Sequence, residues 1–88
     1  MEEDDMATRG SNQRGETIYA VWQIGEVWIL SRDVLYRGST PDEGPMRTDT
    51  VDAFESVEEA IDAGQREAAA AGLHLYRMDR HGRHDRLI

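Results

Sequence analysis

Residues 56–72, SVEEAIDAGQREAAAAG, constrain this chain more than any other stretch. A serine followed three residues later by glutamate is a capping box. The Ser56 hydroxyl can accept from the Glu59 N–H, and the Glu59 carboxylate can reach back to the Ser56 N–H. Val57, Ala60, Ile61, Gly64, Ala68 and Ala71 then recur at helical spacing on one face. Glu58, Glu59 and Asp62 fall in the first turns, where the helix dipole favours negative charge. Gly72 suits the left-handed residue that ends a helix. The spacing predicts a helix over 57–71. Its apolar face is almost all alanine and glycine, so the helix can lie close on a sheet. Asp52, Glu55, Glu59, Asp62 and Arg66 fall on its outer side and its entry, the ordinary polar face of an amphipathic helix.

The rest of the chain supplies strands. TIYAVWQI, residues 17–24, alternates Ile18, Ala20, Trp22 and Ile24 with Tyr19, Val21 and Gln23. Gly25-Glu26 follows, with glycine where a type II′ hairpin turn needs it, and then VWIL. Residues 17–24 and 27–31 are therefore expected to pair antiparallel. Ser31-Arg32-Asp33 is read as a bulge or turn, and residues 34–37 as a continuation. Residues 38–50 contain both prolines and two glycines and are read as a long loop. VDAF, residues 51–54, is a short extended lead-in to the helix. LHLYRM, residues 73–78, is a further strand, Gly82 marks a turn, and residues 83–88 return as a short edge strand. The order is β-β-(β)-α-β-β. The expected fold is α+β, a small antiparallel sheet with one main helix packed on one face. Residues 1–16 are polar and acidic and are read as a disordered tail before a single domain at 17–88.

Composition narrows the chemistry. The chain has 88 residues and no cysteine. Disulfides, thiolate metal sites and a cysteine nucleophile are thereby excluded. No apolar run approaches the roughly 20 residues that cross a bilayer, and Met1 is followed by four acids, so a cytoplasmic protein without membrane association is expected. Eighteen acids face ten basic residues, all arginine, for a net charge of −8. Arginine without lysine fits a GC-rich genome, and the acid excess fits a salty cytoplasm. Such a chain repels nucleic acid on average. The charge is uneven, however: residues 73–88 carry +2 and residues 1–72 carry −10.

The segment FESVEEAIDAGQREAAAAGLHLYRMDRHGR resembles the family known as domain of unknown function 2188. Trp28, Phe54, Ser56, Glu58, Glu59, Ala60, Ala68, Gly72, Leu75, Gly82 and Arg83 fall in the places of that family's pattern, over about residues 17–84. The chain departs from it in the length of the 38–50 loop, in Met78 where a histidine is common, and in His81 where the last turn is usually acidic. The resemblance implies the same hairpin–helix–strand fold. It implies no activity, cofactor or catalytic residue.

Four sets of residues are candidate sites. His81, His84 and Asp79 in DRHGRHD, residues 79–85, offer metal-ligating atoms. Arg80, Arg83 and Arg86 set positive charge beside them, so the stretch is read as a polar turn and no metal or cofactor is assigned. Arg77, Arg80, Arg83 and Arg86 recur every third residue, a spacing that does not align them on a strand, whose period is two. With Tyr76 they form the basis of a nucleic-acid alternative. A second alternative is an acidic helix face that docks a basic partner or mimics nucleic acid. No nucleophile elbow, phosphate loop or dinucleotide fingerprint is present, and no catalytic residue or small-molecule substrate is assigned. A sheet with one helix leaves one face open, and Tyr19, Val21, Trp28, Leu30 and Tyr76 are the candidates for it. The leading expectation is a non-enzymatic protein-interaction module, binding another protein or a second copy.

Overall fold

The structure, a computed structural model, describes residues 13–88. Residues 1–12 of the expected tail lie outside the described residues. Among the described residues, five strands and one α-helix follow in order: β1 (Arg14–Ile24), β2 (Val27–Tyr36), β3 (Pro45–Phe54), α1 (Val57–Ala71), β4 (Leu75–Met78) and β5 (His84–Arg86). The strands form one sheet in the order β3-β2-β1-β4-β5. The fold is α+β, in the expected element order.

The β1–β2 hairpin turns at Gly25, whose φ of 61° is the left-handed value the turn demands, while no described non-glycine residue has a positive φ. That excludes a type I′ turn and fits type II′. Strand β1 starts earlier than expected, at Arg14, because Gly15 lets it approach β2 closely. A Cβ on Gly15 would meet the Tyr36 carbonyl oxygen at 2.7 Å. Strand β2 runs through Ser31-Arg32-Asp33 without a turn, and its pairing with β3 shifts register between Leu30 and Ser31.

Two further corrections matter for function. The sheet is mixed rather than antiparallel, since β4 pairs with β1 in parallel. A parallel neighbour needs a long crossover, and α1 provides it. The 38–50 loop is also shorter than expected, because residues from Pro45 onward form β3 along the edge of β2. Threonine and valine favour a strand there, Pro41 lies in its approach, and Pro45 is its first residue, a position proline tolerates.

The helix forms as its sequence dictates. The Ser56 hydroxyl accepts from the Glu59 N–H at 3.3 Å. At the other end Gly72 is left-handed, and the Leu73 N–H donates to the Ala68 carbonyl at 2.9 Å, closing a Schellman motif. Ala60, Gly64 and Ala68 are buried against the sheet. Ala71, expected on the same face, is exposed. Tyr19, Val21, Leu30 and Leu75 complete the core beneath the helix. Fully burying side chains such as Val21, Leu30 and Leu75 contributes roughly 1.5–3 kcal/mol each. The helix sits so near that a Cβ on Gly64 would lie 2.9 Å from a Leu75 methyl and 3.2 Å from a Leu30 methyl.

Replacing Gly64 with valine should therefore cost about 1–3 kcal/mol through overpacking, read as a lowered urea midpoint. The same change at exposed Ala69 should cost less than half as much. A gain at Gly64→Val beside a loss at Ala69→Val would show that helix propensity, not close approach, sets the effect.

Candidate functional site

Alternation along β1 and β2 puts Tyr19, Val21, Trp28 and Leu30 on the helix side. Ile18, Ala20, Trp22, Ser31 and Asp33 face the other way. The expected interface set is thus corrected. Tyr19, Val21 and Leu30 are core residues, buried under α1. Trp28 is half-buried at the margin of that core, beneath the Arg77 guanidinium at 5.4 Å. Only Tyr76 lies on the far face, its ring edge-on to His84 at 6.5 Å. Tyr19, Val21 and Leu30 pack under α1, whereas Trp22 takes the far face, where its indole N–H donates to Ser31 Oγ.

The far face carries a cleft of about 390 Å³, lined chiefly by Trp22, Asp33, Pro41, Asp42, Pro45, Met78 and His84. The segment between β2 and β3 makes one wall. It turns after Tyr36, whose carbonyl accepts from the Ser39 N–H at 3.0 Å, and then enters a 3-10 turn at Pro41–Glu43. Thr40-Pro-Asp-Glu43 follows the capping-box pattern a second time, with the Thr40 N–H donating to Glu43 Oε2 at 3.2 Å and the Glu43 N–H donating to the Thr40 carbonyl at 3.1 Å. The box holds Asp42 out toward β5. There a single oxygen, Asp42 Oδ1, accepts from the His84 backbone N–H at 2.7 Å and meets His84 Nδ1 at 3.1 Å. The segment is therefore a strap tied to the opposite side of the sheet.

The floor of the cleft is a polar chain. The Trp22 indole Nε1–H donates to Ser31 Oγ at 2.9 Å, and the Ser31 hydroxyl donates to Asp33 Oδ1 at 2.9 Å. Ser31 is fully buried and Asp33 is 5% exposed. Every buried side-chain nitrogen and oxygen among the described residues has a partner. Burial raises the Asp33 carboxyl above its usual 3.8. Hydrogen bonds from Ser31 and Thr48 and the proximity of His84 oppose that rise, while Asp49 adds to it.

DRHGRHD is a turn before a short final strand. The Asp79 carboxylate accepts from the backbone N–H groups of His81 at 2.8 Å and Arg83 at 3.0 Å. These bonds, that of Arg83 foremost, lower the Asp79 pKa below its usual value. Asp79 is thus committed to its turn and His84 to the strap, while His81 stays on the exposed turn. Among the described residues no three His, Asp or Glu side chains converge to hold a metal ion. The arginines do not converge either. Arg77 pairs with Asp85 and Arg86 with Tyr76, so the two point to opposite faces of β4–β5. Arg77 and Arg80 line a wider depression of about 630 Å³ on the helix side, shared with Asp79 and Asp85. That depression is larger than the cleft and more polar, with Trp28 and Met78 set among two arginines and two aspartates.

No family model, curated protein or solved structure matches this chain. No helix among the described residues is long and apolar enough to cross a membrane.

The Asp33 shift has a pH consequence. A carboxyl whose native pKa lies above its unfolded value binds more protons in the native state across that interval. Its contribution to stability falls as pH rises from 3.8 through the raised native value. Asp33→Asn removes this loss. In urea unfolding, the variant's stability relative to the parent should climb across that window and then level off. Parallel profiles for the two proteins would contradict the assignment.

Proposed function

We propose that this protein is a non-enzymatic interaction module and that its docking surface is the strapped cleft on the face away from α1. The observation that carries this reading is the make-up of the cleft. Trp22, Pro41, Pro45 and Met78 give it apolar walls, and the polar groups are few and fixed in place. Sites that bind partners and ligands are commonly concave, mostly apolar and largely preformed. The strap within residues 38–50 supports the reading, since Pro41, Asp42 and Pro45 frame the cleft.

The polar groups support binding over catalysis. The Ser31 hydroxyl is fully buried and engaged with Asp33, and the His84 ring is engaged with Asp42, so the hydroxyl is neither exposed to a substrate nor paired with the imidazole as nucleophilic catalysis commonly needs. A nucleic-acid role through Arg77, Arg80, Arg83 and Arg86 has less support, because Arg77 and Arg86 lie on opposite faces. We also propose, on the residues quoted above, the relation to domain of unknown function 2188. It brings no chemistry with it.

Met78→Glu places a charge on the cleft wall without touching the core under α1. A stoichiometric complex, reconstituted from this chain and its purified partner or from the chain alone, should weaken at least tenfold in this variant. The urea midpoint should change little. Trp28→Ser, on the helix side, should leave assembly unchanged. Loss of assembly in Trp28→Ser with retention in Met78→Glu would refute the placement of the surface.

A further inference from the structure

Resting on that reading, we infer that the cleft receives an arginine side chain presented by a basic segment of a partner protein. The argument begins with charge. The chain carries −8 overall, so any docking partner meets a negative field first. Within the cleft, Asp33 lies in the floor and Asp42 on the strap, and His84 is the one basic side chain among the lining residues. His84 Nδ1 already meets Asp42. Asp33 receives only neutral hydroxyl donors, from Ser31 and Thr48. It is a buried carboxyl without a bonded cation, and its raised pKa is the expected result of that position.

The walls select among cations. A lysine ammonium is compact and strongly hydrated and gains little from a slot walled by Trp22, Pro41, Pro45 and Met78. A guanidinium is planar and weakly hydrated, lies well against aromatic and apolar surfaces, and can offer two parallel N–H donors to one carboxylate. Arginine's aliphatic stem can bury along the proline and methionine walls while its head reaches Asp33. The strap gives the slot a fixed width, because Asp42 holds the Thr40–Pro45 wall toward β5 through two contacts with His84.

The probes are acetyl-Gly-Arg-Gly-amide and its citrulline counterpart, which has nearly the same shape and no charge. Each is titrated into the full chain by NMR at low salt. The arginine peptide should saturably shift the Trp22 indole N–H resonance and the amides of Thr48 and Met78. It should bind at least tenfold more tightly than the citrulline peptide and weaken as salt is added. Calorimetry in buffers of different ionisation enthalpy should show proton release below neutral pH, as the guanidinium lowers the Asp33 pKa. Asp33→Asn should abolish both the preference and the proton release while keeping the spectrum of a folded protein. Equal binding of the two peptides, shifts confined to residues outside the cleft, or no binding would overturn the inference. If a reconstituted partner complex still depends on Met78 while arginine shows no preference over citrulline, the interaction reading stands and the arginine assignment falls. Self-association competed by the arginine peptide would identify the partner segment as a second copy of this arginine-rich chain.

Discussion

The two contacts between Asp42 Oδ1 and His84 decide what the far side of this sheet is. Without them the link from β2 to β3 would be a surface loop, and Trp22, Asp33 and Met78 would sit on an open sheet. With them the link becomes a wall. The connection is possible because the sheet order β3-β2-β1-β4-β5 puts β5 at the edge opposite β3. A segment leaving β2 must pass over the sheet face to reach it. The Thr40–Glu43 capping box makes that passage rigid, fixing Asp42 before it meets its partner. The strap therefore adds a third tie to a sheet already organised by the hairpin and by the α1 crossover.

The two faces of the sheet divide the work. The helix side is built for closeness: Ala60, Gly64 and Ala68 bring the helix down onto Leu30 and Leu75, and little space remains. This small core gives stability to a chain of modest size. The far side holds the larger and more polar residues, with Trp22, Ser31 and Asp33 joined in one hydrogen-bonded line. Burying Asp33 costs desolvation, and the hydroxyls of Ser31 and Thr48 only partly offset it. A structure optimised for stability alone would place an apolar residue there. Both sheet edges are guarded against indiscriminate pairing. β5 is short, while β3 begins at proline, carries charges and has register shifts against β2. These features leave neither edge open to pairing with a further strand.

The local signals were legible where one rule governed them. Ser56 and Glu59 marked the start of α1, Gly72 its end, and Gly25 the hairpin turn. What depended on distant contacts was not. Alternation in β1 separates Tyr19 and Val21 from Trp22, but it does not say which set meets the helix. That choice lies in contacts distant in sequence: Val21 and Leu30 pack under α1, while the Trp22 indole finds its hydrogen-bond partner, Ser31, on the far face. The parallel pairing of β4 with β1 leaves no mark in either strand, since it is set by the crossover. Thr40-Pro-Asp-Glu43 was readable as a second capping box and is the one signal that could have revealed the strap. It was masked by the prolines and glycines around it. Its tie to His84, 42 positions away, has no local signature.

The central claim is that the strap is a fixed wall held by Asp42. Amide hydrogen exchange on the parent chain and on Asp42→Ala tests it most directly. In the variant, the His84 amide and the amides of Glu43 and Gly44 should exchange much faster, while those of Val21, Leu30 and Leu75 keep their protection. Unchanged exchange at His84 and along the strap would show that the wall stands without Asp42, and the account of the cleft would be wrong.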